Sequence, residues 1–280
     1  MQLEAHELVV RQLSPFGLEI GLDLRQPIGP ELQAQLSATL YSQGLLVFRG
    51  QALDLERQVE IMDGFGPVLR APEGINVVST DPEKGWGGTG ELKFHADLAF
   101  SPHPCKVISL YALEVEDGET STLFASGLLA CQRMPGALRR RLAGVMARMQ
   151  MPRLYAGADA GTQTPAWLPR TDHPAIMNHP VTGAPLVFVN ELQTAGLEGV
   201  SPDEGVQLLA EVFAWLYEKA LVYEHRWTRG DLVIWDNIAL QHARSALPVM
   251  TRRTLQRVIV AEKRFSELYP DVPQAELVGR

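Results

Sequence analysis

The sequence predicts a mainly β protein. We expect a mostly antiparallel sheet folded on itself into a jelly roll, the double-stranded β-helix of cupin-like folds, with flanking helices. Three observations lead there. Apolar runs of strand length recur at residues 45–48, 106–115, 121–125, 222–227, 232–235 and 254–261. Helical spacing is confined to a few separate segments. Strands and helices do not alternate, which argues against a βαβ repeat.

Taken in order, residues 8–13 and 16–22 read as two short strands around Ser14-Pro15. Pro30 opens a helix with Leu32, Leu36 and Leu40 on one face, and Gly44 ends it. Residues 45–48 suit a buried strand. Asp54 caps a helix that ends near Gly64, before the Gly66-Pro67 turn. Residues 81–91 are rich in glycine, but their spacing fits neither a P-loop nor a dinucleotide fingerprint. They read as a mobile loop that can serve as a lid. After the strands at 106–115 and 121–125 come two helical patches, at 127–134 and 136–146. Arg139, Arg140 and Arg141 make a solvated face on the second. Residues 152–171 read as a long loop of the kind that carries function. Strands at 175–178 and 185–190 flank a turn at 180–183. Ser201-Pro202-Asp203-Glu204 starts a helix that runs to about Lys219, with Val206, Leu209, Val212, Phe213 and Leu216 on one face. Three more strands follow. No repeat or linker interrupts the chain, so residues 1–280 are read as one domain.

The 280 residues carry a net charge of −8, with 46% hydrophobic and 21% charged residues. That balance suits a globular protein and argues against a nucleic-acid surface. The start lacks the pattern of a signal peptide, and no apolar run is long enough to span a bilayer. Cys105 and Cys131 form no disulfide framework and read as small buried hydrophobes. A cytoplasmic protein acting on a small molecule is expected, with no nucleic-acid or membrane partner. A homo-oligomer is left open.

Two distant stretches carry the chemistry. In an extended segment His95 and Asp97 would point to the same face, roughly 6–7 Å apart. Seven His and 33 acids make about one His-x-acid expected by chance, so a surface pair is the alternative. His242 supplies a second imidazole. Two His and one carboxylate are the facial triad of non-haem iron(II) oxygenases, which leaves other metal positions open. On the last strand Arg253, Leu255, Arg257 and Ile259 share a face. If the two apolar residues face the core, so do the two arginines, and buried cations need anions. Either a bound dicarboxylate or buried Asp and Glu side chains would satisfy them.

The ordered set of His95-x-Asp97, Thr122 before Leu123-Phe124, Trp235-Asp236-Asn237-x4-His242 and Arg253-x3-Arg257 resembles the taurine dioxygenase-like (TauD/TfdA) family. Residues 45–50, Gly64-Phe65-Gly66-Pro67 and His179-Pro180-Val181-Thr182-Gly183 fit it as well. The resemblance implies an iron(II)- and 2-oxoglutarate-dependent dioxygenase. Such an enzyme uses O2 to oxidise a C–H bond of a small, sometimes anionic substrate, most often by hydroxylation, and releases succinate and CO2. It implies that His95, Asp97 and His242 bind iron, and that Arg253, assisted by Thr122, binds the distal carboxylate of 2-oxoglutarate. Arg257 becomes a second arginine near the metal, in reach of substrate or the near carboxylate. The family commonly has Gly-Gly-Asp before the threonine. Here Glu119-Thr120-Ser121 stands there, which keeps Thr120 as a rival to Thr122. Two other functions remain as alternatives: a metal-dependent hydrolase or isomerase with the same three ligands, and a non-catalytic binding module. Among the remaining residues, His103 is read as a loop residue and His225 as a packed core histidine. His173 and His179 could edge the substrate pocket. Phe94, Phe100, Tyr111, Phe188 and Trp227 are read chiefly as core, and residues 235–237 as support for a loop bearing His242.

Overall fold

A computed structural model describes residues 9–70, 73–152 and 165–272 of the chain. A hairpin of β1 (Val9–Gln12) and β2 (Leu18–Gly21) is followed by α1 (Pro30–Gln43), β3 (Leu45–Phe48) and α2 (Leu55–Asp63). Next come β4 (Ile75–Ser79), β5 (Trp86–Gly87), β6 (Leu92–His95), β7 (Val107–Val115) and β8 (Ser121–Ser126). The helices α3 (Gly127–Arg133) and α4 (Gly136–Leu142) lead into β9 (Met146–Gln150), β10 (Arg170–Pro174), β11 (Ile176–Asn178), β12 (Pro185–Val187) and β13 (Thr194–Glu198). After α5 (Pro202–Leu216) the chain closes with β14 (Val222–Arg226), β15 (Leu232–Asp236), β16 (Leu240–Arg244), β17 (Arg253–Val260) and α6 (Phe265–Leu268).

Eight strands form one sheet in the order β1-β2-β3-β15-β7-β17-β4-β5, and four form another in the order β14-β8-β16-β6. Most pairs are antiparallel; β2–β3 and β4–β5 are parallel. Alternation explains how the sheets stack. Leu45 and Val47 of β3 and Val233 and Trp235 of β15 face inward, where they meet Phe124 of β8 and Leu240 of β16. Leu46, Phe48, Leu232 and Ile234 point the other way, onto Leu32, Leu36 and Leu40 of α1 and Val59 and Met62 of α2. Residues 45–48 are uniformly apolar because both faces of β3 are buried. The result is the expected jelly roll, with helices against the outer face of the large sheet. Two smaller sheets, β10-β9-β13 and β11-β12, share a third core with α3, α4 and α5.

Local signals set the helix ends. Gly44 adopts φ 79° and returns its N–H to Leu40 O, a left-handed cap that glycine tolerates best. Asp54 Oδ1 accepts from Arg57 N at 2.8 Å, and Ser201 Oγ accepts from Glu204 N at 3.3 Å. Four expectations need correction. The helix expected over 136–146 stops at Leu142, because Gly144 turns the chain at φ 76° and β9 begins at Met146. The helix expected to reach Lys219 stops at Leu216, and its buried face is Gly205, Leu208, Val212 and Leu216; Val206 is 70% exposed. The loop at 81–91 contains the short strand β5, held parallel to β4. Of the long loop read at 152–171, residues 153–164 lie outside the described residues, and its last two residues begin β10.

Candidate active site

The two large sheets enclose a cavity of about 280 Å3. The four-stranded sheet brings His95, Thr122 and His242 to it, and the facing sheet brings Arg253 and Arg257 on β17. His242 stands directly opposite His95 in the β6–β16 ladder, with ring centroids 4.1 Å apart. This pairing makes neighbours of residues far apart in sequence. It also corrects the sequence reading, which put His242 on a loop: His242 is in mid-strand. Asp97 differs too. β6 ends at His95, and Asp97 reaches the site from the turn that follows, where Leu98 takes φ 56°.

One donor atom from each of His95, Asp97 and His242 lies within 4.8 Å of the others. Asp97 Oδ1 is 3.5 Å from His95 Nε2 and 3.7 Å from His242 Nε2, too long for hydrogen bonds but close enough to share an ion. The protonation states suit a metal. His95 Nδ1 sits 2.9 Å from Lys93 O, so its proton is placed there and the Nε2 lone pair is presented. Burial, helped by the neighbouring His95, pushes the His242 imidazole down to about 3, so it is neutral at physiological pH. Burial would raise the Asp97 carboxyl, but the Arg257 guanidinium beside it holds it well below the usual carboxylate range. Two imidazoles and a carboxylate on one side of a cavity fit iron(II).

Neighbouring side chains hold this cluster in place. Arg257 Nη1 donates to Asp97 Oδ2 at 2.8 Å and its Nε to Asn76 Oδ1 at 3.0 Å, with the guanidinium 4.8 Å from the Trp86 ring centroid. Asn237 Oδ1 accepts from Asp97 N, and its Nδ2 donates to Asp97 O and Cys105 O, all at 2.9–3.0 Å. Asp236 Oδ1 accepts from Ile238 N and Ala239 N, fixing the turn into β16. On the rear of β6 and β16, Tyr217 stacks on Phe94 at 4.1 Å and donates to Gln241 Oε1 at 2.7 Å. Phe94 and Gln241 each precede a histidine of this cluster. Replacing Asn237 by alanine is expected to weaken iron(II) binding about 10- to 100-fold, the usual effect of losing a group behind a ligand, as read by competition with a chelator.

Arg253 lies deeper. It is buried, and among the described residues no carboxylate pairs with it. Its Nη2 donates to Thr122 Oγ1 at 3.2 Å, and its Nε has no partner. Burial and the nearby Arg244 push the guanidinium down to about 9, so it stays charged and favours an incoming anion. Thr122 lines the cavity; Thr120 is buried outside it. Of the two sources of anions expected for the arginines, Arg257 has a protein carboxylate, and Arg253 has none among the described residues.

The sequence reading missed several lining groups. Arg244, two residues after His242, donates from Nη2 to Gly87 O and Gly90 O and so ties the glycine-rich loop to β16. Trp86, Gly87, Gly90 and Glu91 of that loop form part of the wall. Trp86 and Asn76 carried no signal that periodicity could detect. Phe94, Phe100, Tyr111, Phe188 and Trp227 do not line the cavity, in keeping with core roles. Neither do His173, on Ser101 O at 2.9 Å, or His179, with Nε2 2.8 Å from Asp236 Oδ2. His225 is packed against Trp227 and lies 3.2 Å from Asp231. Burial pushes both cysteine thiols up, as suits inert core residues. Among the described residues no helix is long and apolar enough to cross a membrane.

Comparison with known proteins gives this geometry a context. The 2,4-dichlorophenoxyacetate dioxygenase of Cupriavidus pinatubonensis, which is named as alpha-ketoglutarate-dependent, is 25% identical over 84% of this chain and 91% of its own length. Pentalenolactone F synthase of Streptomyces avermitilis is 28% identical over 66% of each chain. The crystal structure of AAD-2 in complex with Mn(II) and N-oxalylglycine superposes with a TM-score of 0.79, at 24% identity, over 92% of this chain and 98% of that one. The model of the taurine catabolism dioxygenase TauD, TfdA family matches residues 10–259. That stretch runs from β1 to within one residue of the end of β17 and holds every side chain placed around the cavity, and the chain belongs to this family.

Proposed function

We propose that His95, Asp97 and His242 hold iron(II) in this chain, and that Arg253 with Thr122 holds the distal carboxylate of 2-oxoglutarate. The chain is a 2-oxoglutarate-dependent dioxygenase, as its family membership states. The observation that carries the assignment is Arg253: a buried cation with no acid partner among the described residues, in the same cavity as a three-donor metal cluster. When bound, iron(II) with 2-oxoglutarate and O2 supplies the oxidation, in which the oxo acid becomes succinate and CO2 and a substrate C–H bond becomes C–OH.

The chain's own residues bind and orient. Arg257 keeps Asp97 ionised and fixed, and so acts behind the metal rather than as the main grip on substrate. Val78, Trp86, Leu92 and Leu110 give the cavity an apolar wall, and Arg244 adds a cation to it. A small organic acid with an apolar body fits that lining, in keeping with the phenoxyacetate in one relative's name. The glycine-rich loop over 81–91, tied by Arg244, would cover the bound substrate and exclude water. The test is anaerobic reconstitution with iron(II) and 2-oxoglutarate, then a screen of small carboxylic, sulfonic and phosphonic acids for O2-dependent succinate release. A visible charge-transfer band and substrate-stimulated succinate are expected. Absence of the band in the wild-type protein would sink the proposal.

A further inference from the structure

A threonine hydroxyl has one proton to give and two lone pairs that accept. Thr122 has both lone pairs occupied. Trp227 Nε1 donates to its Oγ1 at 2.9 Å, and Arg253 Nη2 donates to the same oxygen at 3.2 Å. Among the described residues no acceptor takes the Thr122 proton. The hydroxyl is buried, so water does not compete freely for it, and it lines the cavity. With two donors pressing from the protein side, the proton is left to point into the cavity.

Trp227 is well placed to enforce this. It is fully buried and does not itself line the cavity. Its backbone N–H donates to Thr120 O at 2.9 Å, and its carbonyl accepts from Gly118 N at 2.8 Å. The His225 ring packs at 4.4 Å, near perpendicular to the indole. The Trp227 backbone is therefore fixed beside the residue that precedes β8, and burial, the His225 ring and the bond to Thr122 hold the indole in place.

We infer that Trp227 is a positioning residue that turns the Thr122 hydroxyl into an obligatory donor, so that Thr122 and Arg253 together select a carboxylate at the closed end of the cavity. An acceptor-rich anion satisfies both donors there. A neutral group bearing its own N–H or O–H would meet a hydroxyl with no lone pair to spare. The inference rests on the proposed cosubstrate site and adds to it a residue that touches neither the metal nor the ligand.

The experiment is calorimetric binding of 2-oxoglutarate to the Mn(II)-loaded protein without O2, with pyruvate as the 2-oxo acid that lacks the distal carboxylate. Trp227→Phe keeps most of the packing and removes the N–H. It is expected to weaken 2-oxoglutarate about fivefold, the scale of one hydrogen bond, and to leave pyruvate unchanged. Thr122→Val should weaken 2-oxoglutarate about tenfold, and adding Trp227→Phe to it should cost nothing more, because removal of both partners leaves no orphan. Wild-type affinity in Trp227→Phe, an equal loss for pyruvate, or a further loss when Trp227→Phe is added to Thr122→Val would each overturn the inference alone. A wild-type protein that binds neither oxo acid overturns the cosubstrate site and the inference with it. If Trp227→Phe does not fold, the indole N–H resonances of the labelled wild-type protein answer the question. One should move on Thr122→Val and keep its place in Thr122→Ser, and no movement in Thr122→Val overturns the inference.

Discussion

Arg253→Ala is expected to raise the KM for 2-oxoglutarate about 10²- to 10³-fold while the fold and the metal remain. The size follows from burial. Truncating one partner of a buried charge pair costs about 2–5 kcal/mol, and each 1.4 kcal/mol is a factor of ten. In the free protein Arg253 has no acid partner among the described residues, so its removal strands no carboxylate and relieves a desolvated cation. The loss should therefore appear in ligand binding and not in thermal stability. Arg253→Lys should recover only part of it, since an ammonium cannot offer two parallel hydrogen bonds to a carboxylate. The measurement also separates the rival functions. A hydrolase or isomerase using the same metal site gains nothing from this arginine and would keep its activity. Unchanged 2-oxoglutarate kinetics in Arg253→Ala would remove the cosubstrate from the site.

Where a feature depended on neighbouring residues, the sequence showed it. Pro30, the leucines at 32, 36 and 40, and Gly44 specify α1 in consecutive positions, and the structure buries those same leucines. Asp54 and Ser201 act on N–H groups three residues away. The arginines of β17 were also legible, because alternation with Leu255 and Ile259 carries them to the inner face. Other features depended on distant pairing. In β16 the run Leu240, Gln241, His242, Ala243 and Arg244 is largely buried yet looks polar in sequence, because Gln241 and Arg244 find their partners on distant segments. Gln241 finds Val189 O and Tyr217, and Arg244 finds two glycine carbonyls. β13, with Gly196 at its centre and a register shift against β9, has no period to detect. At Asp97 the residue was identified and its geometry was not. Strand alternation would have placed it beside His95, yet the side chain arrives from a turn held by Asn237.

His242→Ala is expected to abolish iron(II) binding at micromolar metal, with the visible band of the iron(II)–2-oxoglutarate complex absent and succinate release lowered on the order of 10³-fold or more. A group behind a ligand is worth 10- to 100-fold in metal affinity, and a ligand itself must exceed that. Among the three donors, His242 gives the cleanest deletion. Its imidazole is neutral, since burial pushes it down to about 3, so removal leaves no charge unpaired. Asp97 keeps its ion pair with Arg257 and its backbone clamp on Asn237 in the variant. Asp97→Ala, by contrast, would strand Arg257 in the cavity wall and mix a folding defect with a metal defect. The lost contacts of His242 are with the rings of His95 at 4.1 Å, Trp235 at 5.0 Å and Phe124 at 6.4 Å, a packing loss of about 1–2 kcal/mol that a domain of this size tolerates. Circular dichroism should thus be unchanged while metal binding disappears. If His242→Ala retained both the band and succinate release, the pairing of β6 with β16 would be structural alone, and the third ligand would have to come from elsewhere.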